Sequence, residues 1–281
     1  MKISFCHYGN DKMASYRYRA LIPAKEMGAD INNPDADVII FAKPIDQDVP
    51  HVIRAQQKGK KIIADFCDMH FHLDHYKMIL SVADAVTCPT KWFADYLRTE
   101  YGIEAFVVPD PFEYPEVMPH CHGDNLLWFG QGMNIDSLIR VLPKIHTHPI
   151  RIVSNIEGMI PWSTETMLEE FVRADIVLMP ETAPYKSPNR TIEAIRQGCF
   201  VVAEPHPAIN DFPGIWLGNI RTGVEWAISN NGEANLRTRI AQGYVQNAYS
   251  PTTQASAWRT VIQTVLSSST SGPVMCDGVA G

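Results

Sequence analysis

The sequence predicts an α/β protein with two parallel-sheet domains, and three observations lead there. Apolar runs of strand length recur at KISFC (2–6), DVIIF (37–41), KIIAD (61–65), AVTC (85–88) and AFVV (105–108), with helix-compatible segments between them. A second series follows at LLWF (126–129), IRIV (150–153), DIVL (175–178) and FVVA (200–203), at intervals that suit a strand, a loop and a crossover helix. Between the series lies PDPFEYPEVMPHCHGD (109–124), which holds four prolines and one glycine and little periodicity, and so reads as a linker. The expected division is therefore a first domain over 1–112 and a second over 113–266.

Helix signals fall where this plan needs them. Thr90 precedes KWFADYLRTEY and Gly102 closes it, while Ser163 opens STETMLEEFVRA. In SYRYRALIPAKEMG, Pro23 calls for a late start or a kink. PTTQASAWRTVIQTVL (251–266) reads as a final helix with Trp258, Val261, Ile262 and Val265 on one face. SSSTSGPVMCDGVAG (267–281) lacks the apolar content to pack and is expected to be a disordered tail.

The bulk numbers narrow the function classes. With 281 residues, 46% of them hydrophobic, the chain can build two ordinary cores. A net charge of −7 argues against holding nucleic acid by a broad basic surface, since that requires many neutralised phosphates. No stretch approaches the roughly 18 uninterrupted apolar residues of a bilayer span, and a soluble cytoplasmic protein is expected. Six cysteines are scattered without a Cys-x-x-Cys pair, so buried thiols rather than disulfides are expected.

In open parallel sheets ligands bind beyond the carboxyl ends of the strands. There the first half places His7, Tyr8, Gly9 and Ser15-Tyr16-Arg17-Tyr18-Arg19, then Cys67, Asp68 and the run MHFHLDH (69–75). The second half places Gly130-Gln131-Gly132-Met133-Asn134, Asn155-Ile156-Glu157-Gly158 and PETAPYKSPNR (180–190). Pro188 suits the first turn of a helix whose amides face an anion, Lys186 and Arg190 add positive charge, and Glu193 lies about one turn on. A carboxylate there can take both hydroxyls of a ribose. The plain alternative is an amphipathic helix whose Glu and Arg are solvated.

Segment 174–203, ADIVLMPETAPYKSPNRTIEAIRQGCFVVA, resembles the nucleotide-sugar-binding element of GT-B glycosyltransferases of the retaining family-4 (group 1) type. ADFCDMHF, ADAVTCPTKWFADYL and GIEAFVVPDPFEYPE are similar to the third to fifth strand regions and hinge of such enzymes. The resemblance implies two Rossmann-like domains facing a cleft, with the last helix crossing back to the first. It implies a nucleotide-diphosphate-sugar as co-substrate, with no further cofactor and no metal. It places the donor mainly on the second domain with Glu193 at the ribose; with the strand-end loops the expected donor set is Gly130, Gly132, Asn134, Lys186, Ser187, Asn189, Arg190 and Glu193, and the resemblance sets Asp68 and His70 against the transferred sugar. Two departures stand out. Tyr185 occupies the place of a frequent second Glu, and the basic residues common after the first strand of the second domain are absent from WFGQGMNIDSL. Diphosphate neutralisation then falls to Lys186, Arg190 and helix dipoles, or to Arg17 and Arg19, beside Tyr16, from the first domain.

Rival readings are a metallo-β-lactamase-like zinc hydrolase using His-x-His-x-Asp-His, a dinucleotide oxidoreductase using Gly130-Gln131-Gly132, and a metal-dependent transferase using Asp46-Gln47-Asp48. The first lacks companion ligands and antiparallel halves, and the second has Ile135 where a third glycine belongs. The third fits loosely, because Asp46-Gln47-Asp48 also reads as a cap before Val49-Pro50. A catalytically silent sugar-nucleotide-binding protein is the fourth. The acceptor is left open among a glycan, a small molecule, a protein and a modified DNA base.

Overall fold

The computed structural model describes residues 1–268, and internal contacts divide them into two units: Met1–Val108 with the chain from Gln254 onward, and Pro109–Thr253. The first unit holds strands β1 (Ile3–Cys6), β2 (Asp30–Ile31), β3 (Val38–Ala42), β4 (Lys61–Asp65), β5 (Ala85–Cys88) and β6 (Ala105–Val107). They form one sheet in the order β2-β1-β3-β4-β5-β6, and every pairing is parallel. The second unit repeats the plan with β7 (Leu126–Phe129), β8 (Ile150–Ser154), β9 (Ile160–Pro161), β10 (Ile176–Met179), β11 (Phe200–Ala203) and β12 (Trp216–Leu217). Their order is β12-β11-β10-β7-β8-β9, again all parallel.

Unbroken apolar runs suit strands buried on both faces. In the second unit Leu127, Phe129, Val177 and Val201 join one core, and Leu126, Trp128, Ile176, Leu178, Phe200 and Val202 join the other. Helices α6 (Ile135–Ile145), α7 (Thr164–Arg173), α8 (Asn189–Arg196), α9 (Ile220–Ser229) and α10 (Asn231–Ala248) cover these faces, after the first unit's α1 (Ala14–Tyr16), α2 (Ile22–Met27), α3 (Val49–Gln57), α4 (Asp74–Val82) and α5 (Lys91–Tyr101). The caps read from sequence are present: Phe93 N donates to Thr90 Oγ1 at 3.2 Å, and Thr166 N to Ser163 Oγ at 3.0 Å. The irregularity expected at Pro23 takes the form of a π-helical turn, Arg17–Leu21, between α1 and α2. Such a turn makes room for a ring that would clash with the carbonyl of residue i−4. The last helix, α11 (Pro251–Ser267), sends Trp258, Val261, Ile262 and Val265 into the first unit's core beside Phe5, Val38 and Ile40.

Two expectations need correction. The contact division falls after Val108 rather than near 112, and residues 109–124 are no free linker. They lie along the second unit through backbone bonds from Val117 N to Arg196 O at 2.8 Å and His120 N to Gly198 O at 3.1 Å, with Cys121 N on Asn235 Oδ1 at 2.8 Å. The expected tail over 267–281 falls, from residue 269, outside the described residues, while Ser267 ends α11. Cys6, Cys67, Cys88, Cys121 and Cys199 are free thiols; Cys276 lies outside the described residues.

The turn out of α8 shows how tightly the 109–124 segment is seated. Gly198 has φ +81°, and a Cβ there would stand 2.4 Å from Met118 O. Gly198→Ala is therefore expected to destabilise the protein by about 1–3 kcal/mol, the range for a strained αL residue, in urea unfolding. A change within experimental error would show that the segment yields freely.

Candidate functional site

On the second unit, the loop after β10 leads into α8, whose N-cap is Pro188. Residues Thr191 to Arg196 are all buried, which overturns the solvated-helix alternative for this segment. Glu193 is 3% exposed, and its Oε1 accepts from Glu113 N at 2.8 Å. Arg196 also turns inward, pairing with Glu116 at 2.6 Å and lying over the Phe112 ring.

Arg190 is built differently. Its Nη1 donates to Phe129 O at 2.8 Å, its guanidinium lies 5.9 Å from the Trp128 ring centroid, and no carboxylate among the described residues pairs with it. Loss of hydration pushes its pKa down to about 10, which leaves it cationic at neutral pH. Gly130 makes the approach possible, since a Cβ there would meet Arg190 Nη1 at 3.0 Å and the Trp128 ring at 3.1 Å. Beside it, Gly132 N donates to Asn155 Oδ1 at 2.7 Å, and a Cβ at Gly132 would meet Ile156 at 2.8 Å. The β7 and β8 loops are thereby locked together, and Asn134 ends the short 3-10 turn Gly132–Asn134 that enters α6.

The other expected residues occupy the loop into α8. Ser187 Oγ is buried with no hydrogen-bond partner among the described residues, an arrangement that asks for a ligand or water. Asn189 Oδ1 accepts from Arg190 N at 2.7 Å, and Lys186 Nζ lies 4.8 Å from the Tyr185 ring centroid. Two residues that sequence reading missed hold this loop in place. His206, after β11, has its Nε2 at 2.9 Å from Ala183 O, while its Nδ1 accepts from Ala208 N at 3.2 Å; burial lowers its pKa, so the ring is neutral. Glu204 accepts from Glu181 N at 2.8 Å and is clamped by both terminal nitrogens of Arg140. Their one signal was position, directly after FVVA.

The first unit's carboxyl edge is more enclosed. His7 is 4% exposed; Gly9 N donates to its Nδ1 at 2.7 Å, so Nε2 carries the hydrogen toward Ser15 Oγ at 3.1 Å. Burial, reinforced by Lys43, brings His7 down to about 4. Tyr16 packs edge-on against that ring at 5.5 Å, and Arg17 Nη1 donates to Asp11 O at 2.7 Å. Arg19 requires correction as a phosphate ligand. It is 1% exposed and clasps Asp65, itself fully buried, with Nε on Oδ2 at 2.9 Å and Nη2 on Oδ1, while Nη1 donates to Val108 O. Thr87 Oγ1 adds a bond to Asp65 at 2.7 Å. This guanidinium is spent on the core.

Asp68 pairs with Lys43 at 2.9 Å, and His70 is exposed, with its ring centroid 6.2 Å from His72 and 6.0 Å from Tyr76. His75 turns away to Asp46 at 2.6 Å. No three His, Cys, Asp or Glu side chains among the described residues are grouped to share a metal, so MHFHLDH does not assemble as a cage. Asp46-Gln47-Asp48 forms a 3-10 turn in which Asp48 Oδ2 accepts from Ile45 N at 2.8 Å, the capping role.

No protein-family model and no curated protein matches this chain. Solved structures do. Anabaena HepE in complex with UDP and glucose superposes with a TM-score of 0.73 at 11% identity, over 95% of this chain and 100% of that one. The fold is that of the GT-B glycosyltransferases. Staphylococcus aureus TarM follows at TM-score 0.61 and 15% identity, over 81% of this chain and 54% of that one. A Listeria monocytogenes protein provisionally named a UDP-N-acetylglucosamine 2-epimerase gives 0.58 at 10% identity, over 95% and 96%. Identities this low speak for shared architecture, and activity has to be argued from the site.

Lys43 was invisible to sequence reading, yet it is one of two non-glycine residues with positive φ among those described, at +51°. Backbone strain of this kind collects at functional positions. Lys43→Ala loses the pair with Asp68 and keeps the strain, whereas Lys43→Gly loses the pair and relieves it. In urea unfolding the glycine variant is expected to be more stable than the alanine variant by about 1 kcal/mol; equal stabilities would show that the conformation costs nothing.

Proposed function

We propose that this protein is a glycosyltransferase that moves a sugar from a nucleoside-diphosphate sugar to an acceptor hydroxyl, with the donor seated at the carboxyl edge of the second sheet. The observation that carries this reading is Arg190, a desolvated cation with no carboxylate counter-ion among the described residues, set beside the buried hydroxyl of Ser187 at the start of α8. Arg190 is half-buried; charges drawn away from water are ordinarily paired, and a diphosphate supplies the opposite charge. The N-terminal amides of α8 and Lys186 add to the field. Glu193, with one oxygen oriented by Glu113 N, is assigned the ribose hydroxyls. The likeness in fold to HepE, solved with UDP and with UDP-glucose, supports the assignment.

The reaction we assign proceeds with retention. The acceptor oxygen bonds to the anomeric carbon as the bond from that carbon to the phosphate oxygen breaks, and the acceptor proton passes to the departing diphosphate. Protein groups then supply charge stabilisation and alignment rather than a nucleophile. No metal is assigned a part, and Asp68 and His70 are assigned to turnover rather than to donor binding.

Glu193→Ala is expected to weaken UDP binding by about 1–3 kcal/mol, the worth of a hydrogen bond to a charged group. Calorimetry on a variant shown to be folded measures it, and unchanged affinity would remove Glu193 from the site. Lys186→Ala is expected to weaken the diphosphate far more than the free nucleoside, and equal losses would end the charge argument. For the reaction itself, a panel of nucleotide sugars incubated with hydroxylated acceptors should yield free nucleoside diphosphate and a glycoside of retained anomeric configuration by NMR, with or without EDTA. His70→Ala should lower kcat and leave UDP affinity unchanged. Absence of turnover across the panel, with wild-type UDP binding intact, would leave a binding protein and contradict the proposal.

A further inference from the structure

The first sheet carries a second candidate site, on the face that α3 packs against and close to the carboxyl ends of β1 and β3. The connection from β2 to β3 spans residues 32–37 and contains no helix. A crossover of this kind usually carries one. One face of β1 and β3, with Phe5, Val38 and Ile40, packs against Ala20, Ala24 and Trp258. On the other face, Cys6 lies beside Phe41 in register, Ile39 points the same way two residues earlier, and α3 covers only part of the sheet. A cavity remains there, floored by Cys6, Ile39 and Phe41.

Polar groups stand at its walls in an order set by α3. Asp48, at the N-terminal end, is 3% exposed; its Oδ2 is occupied by Ile45 N, and its Oδ1 is buried with no hydrogen-bond partner among the described residues. A buried acceptor left unmade costs about 1–3 kcal/mol, so this oxygen is a standing demand for a donor. Burial accordingly raises the Asp48 carboxyl to about 6. Arg54, on the same wall, is exposed and forms no ion pair among the described residues. Six residues of helix separate the two by about 9 Å along the axis, and side chains on a helix lean toward its N-terminus. Both line the same cavity. Tyr8 and His51, with ring centroids 6.1 Å apart, give the mouth an aromatic rim.

We propose that this cavity binds a small aromatic alcohol bearing an anionic group, with the ring on the floor of Cys6, Ile39 and Phe41, the hydroxyl donating to Asp48 Oδ1, and the anion meeting Arg54. The site is independent of the transfer reaction assigned above and shares no residue with the donor edge. Charge complementarity selects the class: one acceptor and one cation that lack partners among the described residues, and an apolar floor between them. A neutral phenol satisfies only the first, and an unhydroxylated carboxylate only the second.

The test uses para-hydroxybenzoate as the probe, with benzoate and phenol as controls, followed by calorimetry and by backbone amide NMR of the full chain. Saturable binding of para-hydroxybenzoate is expected, with shifts at 6–8, 39–41 and 48–55, and with each control weaker by about tenfold or more. Asp48→Asn, which retains an acceptor for Ile45 N, and Arg54→Ala, an exposed change that leaves folding intact, should each weaken the probe by a similar factor while UDP affinity stays at the wild-type value. No saturable binding, shifts confined to other residues, or equal affinity in wild type and Arg54→Ala would each overturn the proposal. Loss of UDP binding would count against the donor-edge assignment instead, so the two readings fail separately.

Discussion

Parallel strand direction is the constraint on which the rest of this molecule depends. Every pairing in both six-stranded sheets is parallel, so within each sheet all strand-to-helix loops leave from the same edge. The central strands are buried on both faces, which excludes polar chemistry from their length and drives it to their ends. Gly130, Gly132, Ser187 and Arg190 gather on one unit, and His7, Lys43, Asp68 and His70 on the other, because the chain emerges from its strands there.

Three arginines show how environment divides one side chain among different tasks. Arg19 is matched to Asp65 and a backbone carbonyl inside the first core, so its charge is cancelled where water cannot reach. Arg196 is matched to Glu116 and stacked on Phe112. Arg190 has a carbonyl and an aromatic face but no carboxylate among the described residues. A cation stabilised by a dipole and a ring keeps its charge available to an anion, whereas one clasped bidentately by a carboxylate does not. The surrounding structure serves that distinction: Gly130 gives the guanidinium room, and His206 and Glu204 fix the loop that leads into α8.

Much of this was legible in the sequence because it rests on local pattern. The long apolar strands, the Thr90 and Ser163 caps, the inward face of α11 and the disruption at Pro23 are all expressed within a few consecutive residues. Edge strands β2, β9 and β12 are two residues long and show no period to read. Segment 109–124 looked like a linker because backbone hydrogen bonds seat it, and those leave no mark on side-chain composition. Arg19 could not be told from a surface arginine because its partner, Asp65, lies on another strand. Lys43 adopts its positive φ without a glycine to announce it. Candidate site residues could be named from sequence where they share one loop and helix, as in 186–193, whereas contacts supplied by distant strands left no local pattern.

The proposed seat of a nucleoside diphosphate is the group of loops at the carboxyl edge of the second sheet. Hydrogen exchange with and without saturating UDP, GDP and ADP, read by mass spectrometry at peptide resolution, tests it most directly. Slowed exchange is expected in peptides covering 130–135 and 186–193 for at least one diphosphate, with smaller changes for the matching nucleoside. Saturating binding that leaves both segments unprotected and protects another surface would contradict it.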